Sequence, residues 1–310
     1  MMQLQNFLET LWIKNISRIQ KFTEWQHNDS YKVESGGKTY SVRVYNYKKP
    51  SQIRFELEIL KKLKNTGLTP CVLTFWWKSL HKFWKKYLII YEYLPWESIK
   101  NFTPQQLQEV GKFIWEYHRA CKSFSWGKYR YQFYHLPDSK IQQFTEVSKK
   151  AKLKYLEFLP KIIQELKENR LPKSLPRWPI HVDIKPENVL FYHWKLSWVL
   201  DFDNAFMWPF LLDIAKSMVW FGTRDKQFSL DDAKHIFRGY TQVRTLSKEE
   251  QTYLYRAIKF AFLSHIFVDY YMRAVEKTTQ EYFESIIHDL YASYKTFTVS
   301  EKDFYGQFTL

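Results

Sequence analysis

Cysteine is nearly absent: Cys71 and Cys121 are the only two in 310 residues. They build neither a disulfide framework nor a metal spacing, and read as reduced core thiols of a cytoplasmic protein. Glycine is scarce, with eight residues, and there is no G-x-G-x-x-G; residues 24–31 read Glu-Trp-Gln-His-Asn-Asp-Ser-Tyr. No run of eighteen apolar residues exists, so no transmembrane segment is expected. Met1 to Glu9 lack the basic start and long apolar centre of a secretion signal. Leu4, Phe7, Leu8, Leu11 and Trp12 fall instead on one face of a short helix. Acidic residues are outnumbered 32 to 47, a net charge of +15. The whole excess lies in 1–203, because 204–310 balances thirteen basic with thirteen acidic residues. A basic excess favours anionic partners such as nucleotide phosphates, although a lysine-rich soluble surface has the same composition.

What is present suffices for a large core, since 45% of the chain is hydrophobic. Tyr31–Val33 and Thr39–Tyr45 are β-rich runs separated by a tip with Gly36 and Gly37, which predicts a hairpin. Pro50 opens a helix to about Leu63, ended by Asn65-Thr66-Gly67. Val72–Trp77 and Tyr87–Tyr93 read as further strands, joined by a basic connection from Lys78 to Lys86. After Leu94-Pro95 the composition shifts. Thr103-Pro104-Gln105-Gln106 starts a helix, with an apolar stripe through Leu107, Val110, Ile114, Tyr117 and Cys121. Residues 140–169 read as one or two lysine-rich helices, and Pro172, Pro176 and Pro179 then break the chain. Val189–Phe191 and Leu196–Leu200 form a second hairpin. From Asp213 the pattern is helical, and Ser247-Lys248-Glu249-Glu250 caps a long helix to about Val275. Two regions follow: a small, mostly β region over 1–94 and a larger helical one over 95–310.

The chemistry concentrates in His181-Val182-Asp183-Ile184-Lys185-Pro186-Glu187-Asn188 and in Asp201-Phe202-Asp203. An Asp, an Asn five residues on, and a second Asp eighteen after the first suit phosphoryl transfer from ATP. One carboxylate orients a hydroxyl and accepts its proton. An amide oxygen and another carboxylate hold Mg2+, which takes hard oxygen ligands and keeps several waters. The hairpin between the two stretches returns the chain on itself.

With Asp213-Ile214-Ala215 added, these residues resemble the aminoglycoside phosphotransferase-like family, which includes homoserine, choline/ethanolamine, methylthioribose and fructosamine kinases. The segment Gly111 to His118 resembles a helix that precedes the catalytic loop there. The resemblance covers about 20–240. It implies an α+β, two-lobed protein kinase-like fold with a small antiparallel β lobe carrying one helix and a larger helical lobe. It implies Asp183 as catalytic base, and Asn188 and Asp201 as magnesium ligands. His181 becomes a structural member of the loop and Asp213 a brace. Asp203 becomes a further metal or substrate contact.

Arg43 on the third strand is then the cation for the α and β phosphates, where protein kinases have Lys. Glu56 and Glu58 are candidates to orient it. Glu56 lies beside Ile53, Leu60 and Leu63 on the buried stripe, whereas Glu58 lies among Arg54, Lys61 and Lys62, so Glu56 is chosen. Ser30 is the side-chain phosphate contact, and Glu92 and Leu94 lie where backbone groups of such a family meet adenine. The missing glycine loop, the missing Ala-Pro-Glu and the short path from Asp201 to Asp213 argue against a protein kinase, and a non-catalytic kinase-like binding module is the other rival reading. Without an acidic cluster in 204–310, a neutral or zwitterionic hydroxyl acceptor such as homoserine, choline, ethanolamine or a sugar derivative fits better than a polycation. Asp269 and Arg273 read as a helical ion pair. Trp76, Trp77, Trp84 and Trp96 lie among lysines; nucleic-acid or membrane-surface contact is set aside in favour of sheet packing under lysine stems.

Overall fold

Gly36 and Gly37, at φ 54° and 76°, make the tight tip that lets the first hairpin close with Ser35 opposite Lys38. This computed structural model describes residues 2–22, 28–95, 99, 101–124, 134–193 and 195–308. The chain divides into two compact units. The first comprises Met1–Glu97 with Leu190–Tyr192 and Ser197–Asp203; the second comprises Ser98–Val189, His193–Leu196 and Asn204–Leu310.

In the first unit, helix α1 (Met2–Thr10) precedes strands β1 (Ile16–Lys21), β2 (Asp29–Ser35) and β3 (Lys38–Tyr45). Helix α2 (Pro50–Leu63) follows, then β4 (His81–Phe83) and β5 (Lys86–Glu92). The five strands form one antiparallel sheet in the order β1-β2-β3-β5-β4. Side chains alternate along β3. Val42 and Val44 join Leu4, Leu8, Leu88 and Ile90 in a core beneath α1. Arg43 and Tyr45 therefore point to the opposite face, where α2 buries Phe55, Glu56 and Ile59.

Three expectations change here. Val72–Trp77 is not a strand: Val72 makes a single bridge to Tyr91, and Phe75 and Lys78 close a turn on Trp76 and Trp77. The edge strand β4 lies within the stretch read as a basic connection. Strand β1, with only Ile16 and Ile19 as aliphatic residues, carried no strand signal. The indoles are not buried by the sheet either. Trp12, Trp76, Trp77 and Trp84 are exposed, because all four sit on turns at positive φ rather than on strands. Trp96 lies outside the described residues.

The second unit starts with α3 (Pro104–Ala120), where Thr103 and Gln106 cap one another. The lysine-rich stretch is two helices, α4 (Asp138–Lys150) and α5 (Leu159–Glu168). Strand β6 (Arg177–Ile180) leads into the His181 loop. The hairpin of β7 (Val189–Tyr192) and β8 (Lys195–Val199) comes next in the chain, with Leu190–Tyr192 and the residues from Ser197 belonging to the first unit, and β9 (Phe206–Pro209) pairs with β6. Pro179 and Pro209 sit within this two-stranded ribbon, where a missing N–H is tolerated; in sequence Pro179 reads as a break. Then come α6 (Leu211–Gly222), the small ribbon of β10 (Thr223–Arg224) and β11 (Gln227–Phe228), α7 (Leu230–Thr241) and the capped α8 (Lys248–Ala274). Shorter helices α9 (Gln280–Ser285), α10 (Ala292–Thr296) and α11 (Glu301–Gln307) follow. Helices α3 and α7 meet almost backbone to backbone: a Cβ added to Gly111 would lie 1.9 Å from the Ile236 carbonyl oxygen.

Candidate active site

Asp213 organises the loop of the second unit. It lies in the first turn of α6 and is fully buried. Its Oδ2 accepts the His181 N–H at 2.8 Å and its Oδ1 accepts the Val182 N–H at 2.6 Å. His118 Nε2 lies 3.1 Å from Oδ2, and His118 Nδ1 lies 3.2 Å from the Tyr240 hydroxyl. Burial lowers the His118 pKa, although Asp213 opposes this, so a neutral ring donating from Nε2 and accepting at Nδ1 fits both partners. Val182 is held at φ 69°, a left-handed conformation that a β-branched residue adopts only when its surroundings impose it. That bend delivers Asp183.

Asp183 is nearly buried. Asn188 Nδ2 donates to its carbonyl oxygen at 2.8 Å and to its Oδ2 at 3.3 Å. Both bonds use the amide nitrogen and neither uses the amide oxygen. Lys185 Nζ stands 3.8 Å from Asp183 Oδ2. Around this carboxylate lies a ring of groups that sequence reasoning missed or misread. Lys216, three residues after Asp213 on α6, is 1% exposed; its Nζ sits 4.0 Å over the Tyr134 ring and has no hydrogen-bond partner among the described residues. Burial lowers its pKa to about 7, against the pull of Asp183, Asp269 and Asp213. Asp269 on α8 is raised to about 7 by burial, opposed by Lys216 and Lys185. Its Oδ2 is 3.1 Å from His265 Nε2, close but not aligned as a hydrogen bond. The expected Asp269–Arg273 pair is absent: Arg273 donates to Gln280 and the Thr278 carbonyl, drawn off by the start of α9. A lone Lys in the apolar run Leu211 to Gly222 was the available signal for Lys216.

The first unit holds a second charged cluster. Arg43 Nη2 bonds Asp201 Oδ1 at 2.6 Å and lies 3.3 Å from Asp203 Oδ2. Burial disfavours its charge, but Asp201 and Asp203 outweigh this and hold its pKa well above the ordinary value. Asp203 also accepts from Asn28 Nδ2 at 2.8 Å, and its carbonyl accepts from Lys48 Nζ at 2.8 Å. Asn28 and Lys48 carried no sequence signal beyond their residue type. Glu56 does not pair with Arg43. It accepts from the Tyr45 hydroxyl at 2.8 Å and the Tyr91 hydroxyl at 3.3 Å. Tyr45 is two residues beyond Arg43 on the same face, so its hydroxyl reaches the Glu56 carboxylate of α2 in the place expected for Arg43. Burial raises Glu56 to about 7, moderated by the Arg43 charge. Ser30 is buried directly across from Arg43 in the β2–β3 register. Glu92 is exposed and pairs with Tyr40, three residues or about 10 Å along β3 from Arg43. Leu94 is half-buried beyond the end of β5.

The Asn188 amide of the second unit and the Asp201 carboxylate of the first each carry oxygen of the hard donor type that Mg2+ takes. No cluster of three or more His, Cys, Asp or Glu suited to a metal occurs among the described residues.

A family model described as the phosphotransferase enzyme family matches residues 18–246. A homoserine kinase of Parvibaculum lavamentivorans is 23% identical over 259 residues, covering 80% of this chain and 78% of that protein. A homoserine kinase of Mesorhizobium japonicum is 25% identical over 263 residues, covering 81% and 80%. Among solved structures, an amicoumacin kinase in complex with AMP-PNP, Ca2+ and Ami has a TM-score of 0.70 at 15% identity, covering 98% of this chain and 97% of that one. A spectinomycin phosphotransferase in complex with ADP and spectinomycin has a TM-score of 0.62 at 15% identity, covering 95% and 94%. At such identities the structural likeness establishes the fold, the expected α+β protein kinase-like one.

Proposed function

Because this chain belongs to the phosphotransferase enzyme family and is a small-molecule kinase with a hydroxyl acceptor, we propose that it uses Mg2+ and ATP and that Asp183 is its catalytic base. The acceptor oxygen forms a bond to the γ-phosphorus as the bond to the bridging oxygen of ADP breaks, and the acceptor proton passes to Asp183. Asp213 and Asn188 hold Asp183 in place for this, and the 3.8 Å approach of Lys185 supplies positive charge beside the transferring group. Asn188 and Asp201 are the magnesium ligands; the metal, when bound, neutralises charge developing on the phosphates. Arg43, with Lys48 beside it, serves the nucleotide phosphates, in the β unit as the nucleotide lobe. Ser30 is a further phosphate contact, and Glu92 and Leu94 flank the adenine segment. The single observation that carries the reading is Asp183 held between Asn188 and the backbone amides that Asp213 fixes.

The surroundings of Asp183 favour an acceptor that carries both charges. Buried Lys216 can meet a carboxylate and buried Asp269 an ammonium, while Lys185 and Lys216 together repel a polycation. The relatives named as homoserine kinases have an acceptor of this kind. Phosphate transfer should therefore be measured by mass spectrometry against homoserine, choline, ethanolamine, a sugar and an aminoglycoside. Product is expected with the hydroxy amino acid. Asp183→Asn should lower kcat by about 10²–10⁴-fold while nucleotide still binds. Lys216→Met should raise KM for an acceptor with a carboxylate and leave one without it unaffected. If no acceptor is phosphorylated and Mg2+ with ATP does not shift the melting temperature, the protein is a binding module instead.

A further inference from the structure

Four of the eight exposed large hydrophobic residues among those described are tryptophans of the first unit: Trp12 (65% exposed), Trp76 (58%), Trp77 (97%) and Trp84 (68%). All four have left-handed backbone, with φ of 67°, 52°, 63° and 56°. Turns that need positive φ are satisfied without strain by glycine or asparagine; a bulky aromatic there is disfavoured. Each residue thus combines an unfavourable backbone with a ring left largely in water.

The four belong to one edge of the sheet. Strand β4 is the edge strand. The Trp76–Trp77 turn immediately precedes it, and the Phe75 ring meets His81 of β4 at 6.2 Å. Trp84 stands in the tip that follows it, where Phe83 pairs with Lys86. Trp12 contacts Trp76 at 6.0 Å between centroids, Trp76 Nε1 donates to the Thr10 carbonyl at 3.3 Å, and Phe7 packs on Phe83 at 5.1 Å. The charge carried by the segment around β4 has one sign. Residues 75–86 contain Lys78, Lys82, Lys85 and Lys86 and no acidic residue, and Lys14 Nζ lies 4.6 Å over the Trp12 ring.

We propose that this edge docks the kinase on an anionic lipid bilayer, with the indoles at headgroup depth and Lys14, Lys78, Lys82 and Lys85 facing the acidic headgroups. Indole has an apolar body and a polar N–H, the combination that settles at the membrane–water boundary, and clustered lysines add attraction to acidic lipid. Single-stranded nucleic acid would need ring faces aligned along a groove. Here Trp12 and Trp76 are turned against each other at 56°, and the rings stand at separate turn tips. A second copy on the same face would set lysines against lysines.

The test is co-sedimentation of the full chain with phosphatidylcholine vesicles and with phosphatidylcholine–phosphatidylglycerol vesicles. Binding is expected to the acidic vesicles only and to fall with added salt. The Trp76→Ala/Trp77→Ala/Trp84→Ala variant should bind at least tenfold more weakly, with an unchanged melting temperature. Should that variant fail to fold, Lys78→Glu/Lys82→Glu/Lys85→Glu should show the same loss. The proposal is overturned if acidic vesicles do not bind, or if binding ignores both variants. It is equally overturned if these residues prove to serve a single-stranded oligonucleotide or a concentration-dependent dimer without vesicle binding.

Discussion

Two tyrosine hydroxyls, not a guanidinium, satisfy the Glu56 carboxylate, and this has a consequence for stability. A carboxyl raised from 4.5 to about 7 binds its proton more tightly in the folded chain than in the unfolded one. Between these two values the folded state holds more protons, so its stability falls as pH rises through the window. The contribution of Glu56 is therefore most favourable below the lower value and is lost by the upper, on the order of 3 kcal/mol in all. Glu56→Gln, which keeps a hydrogen-bonding oxygen but does not titrate, should flatten the dependence of melting temperature on pH between these values. An unchanged slope would place the titration elsewhere, with Asp269 the next group to replace.

Elements meet here through two devices. Reciprocal caps fix helix starts: Thr103 with Gln106 at α3, and Ser247 with Glu250 at α8. Glycines set how closely helices approach. Gly111 on α3 faces the Ile236 carbonyl, and Gly239 on α7 faces the Gln108 carbonyl, with added Cβ distances of 1.9 and 2.0 Å. Backbone atoms cannot swing aside as side chains can. Gly111→Ala should therefore push α3 from α7 and destabilise by about 3 kcal/mol, an overpacking cost. Urea denaturation measures it. Because α3 carries His118, a partner of Asp213, the same variant should lower activity at temperatures where it remains folded.

At the scale of the whole molecule, each unit has its own core. The first carries Arg43, Asp201 and Asp203; the second carries Asp183 and Asn188. A nucleotide–magnesium complex that engages the folded chain and not the unfolded one should stabilise it by about 2.7 kcal/mol at a hundredfold excess over Kd. Thermal melts with ATP alone, with Mg2+ and ATP, and with EDTA added check this. The increase is expected only when both are present, and Asn188→Ala should abolish it. No helix of the described residues is long and apolar enough to cross a membrane.

Features that depend on near neighbours in the chain are legible from the residues alone. Helix caps, the glycine hairpin tip, and the spacing of Asp183 and Asn188 act over five residues or fewer, so composition and period reveal them. The β region and the helical region were legible for the same reason, since apolar alternation and helical stripes are local patterns. Strands β1, β6 and β9 were not, because polar or proline-bearing ribbons gain their pairing from a partner the local pattern does not specify. Which charge meets which depends on how distant parts of the chain fold together. Arg43 bonds a carboxylate 158 positions away, while Glu56 is taken by Tyr45 and Tyr91. Helix α6 places Lys216 beside Asp269 of α8 in a buried setting where burial brings both groups to about 7. The tryptophans make the same point in reverse. Their composition suggested packing, yet the turns that carry them hold the rings out in water, because backbone direction at a turn is set by chain reversal and not by hydrophobicity.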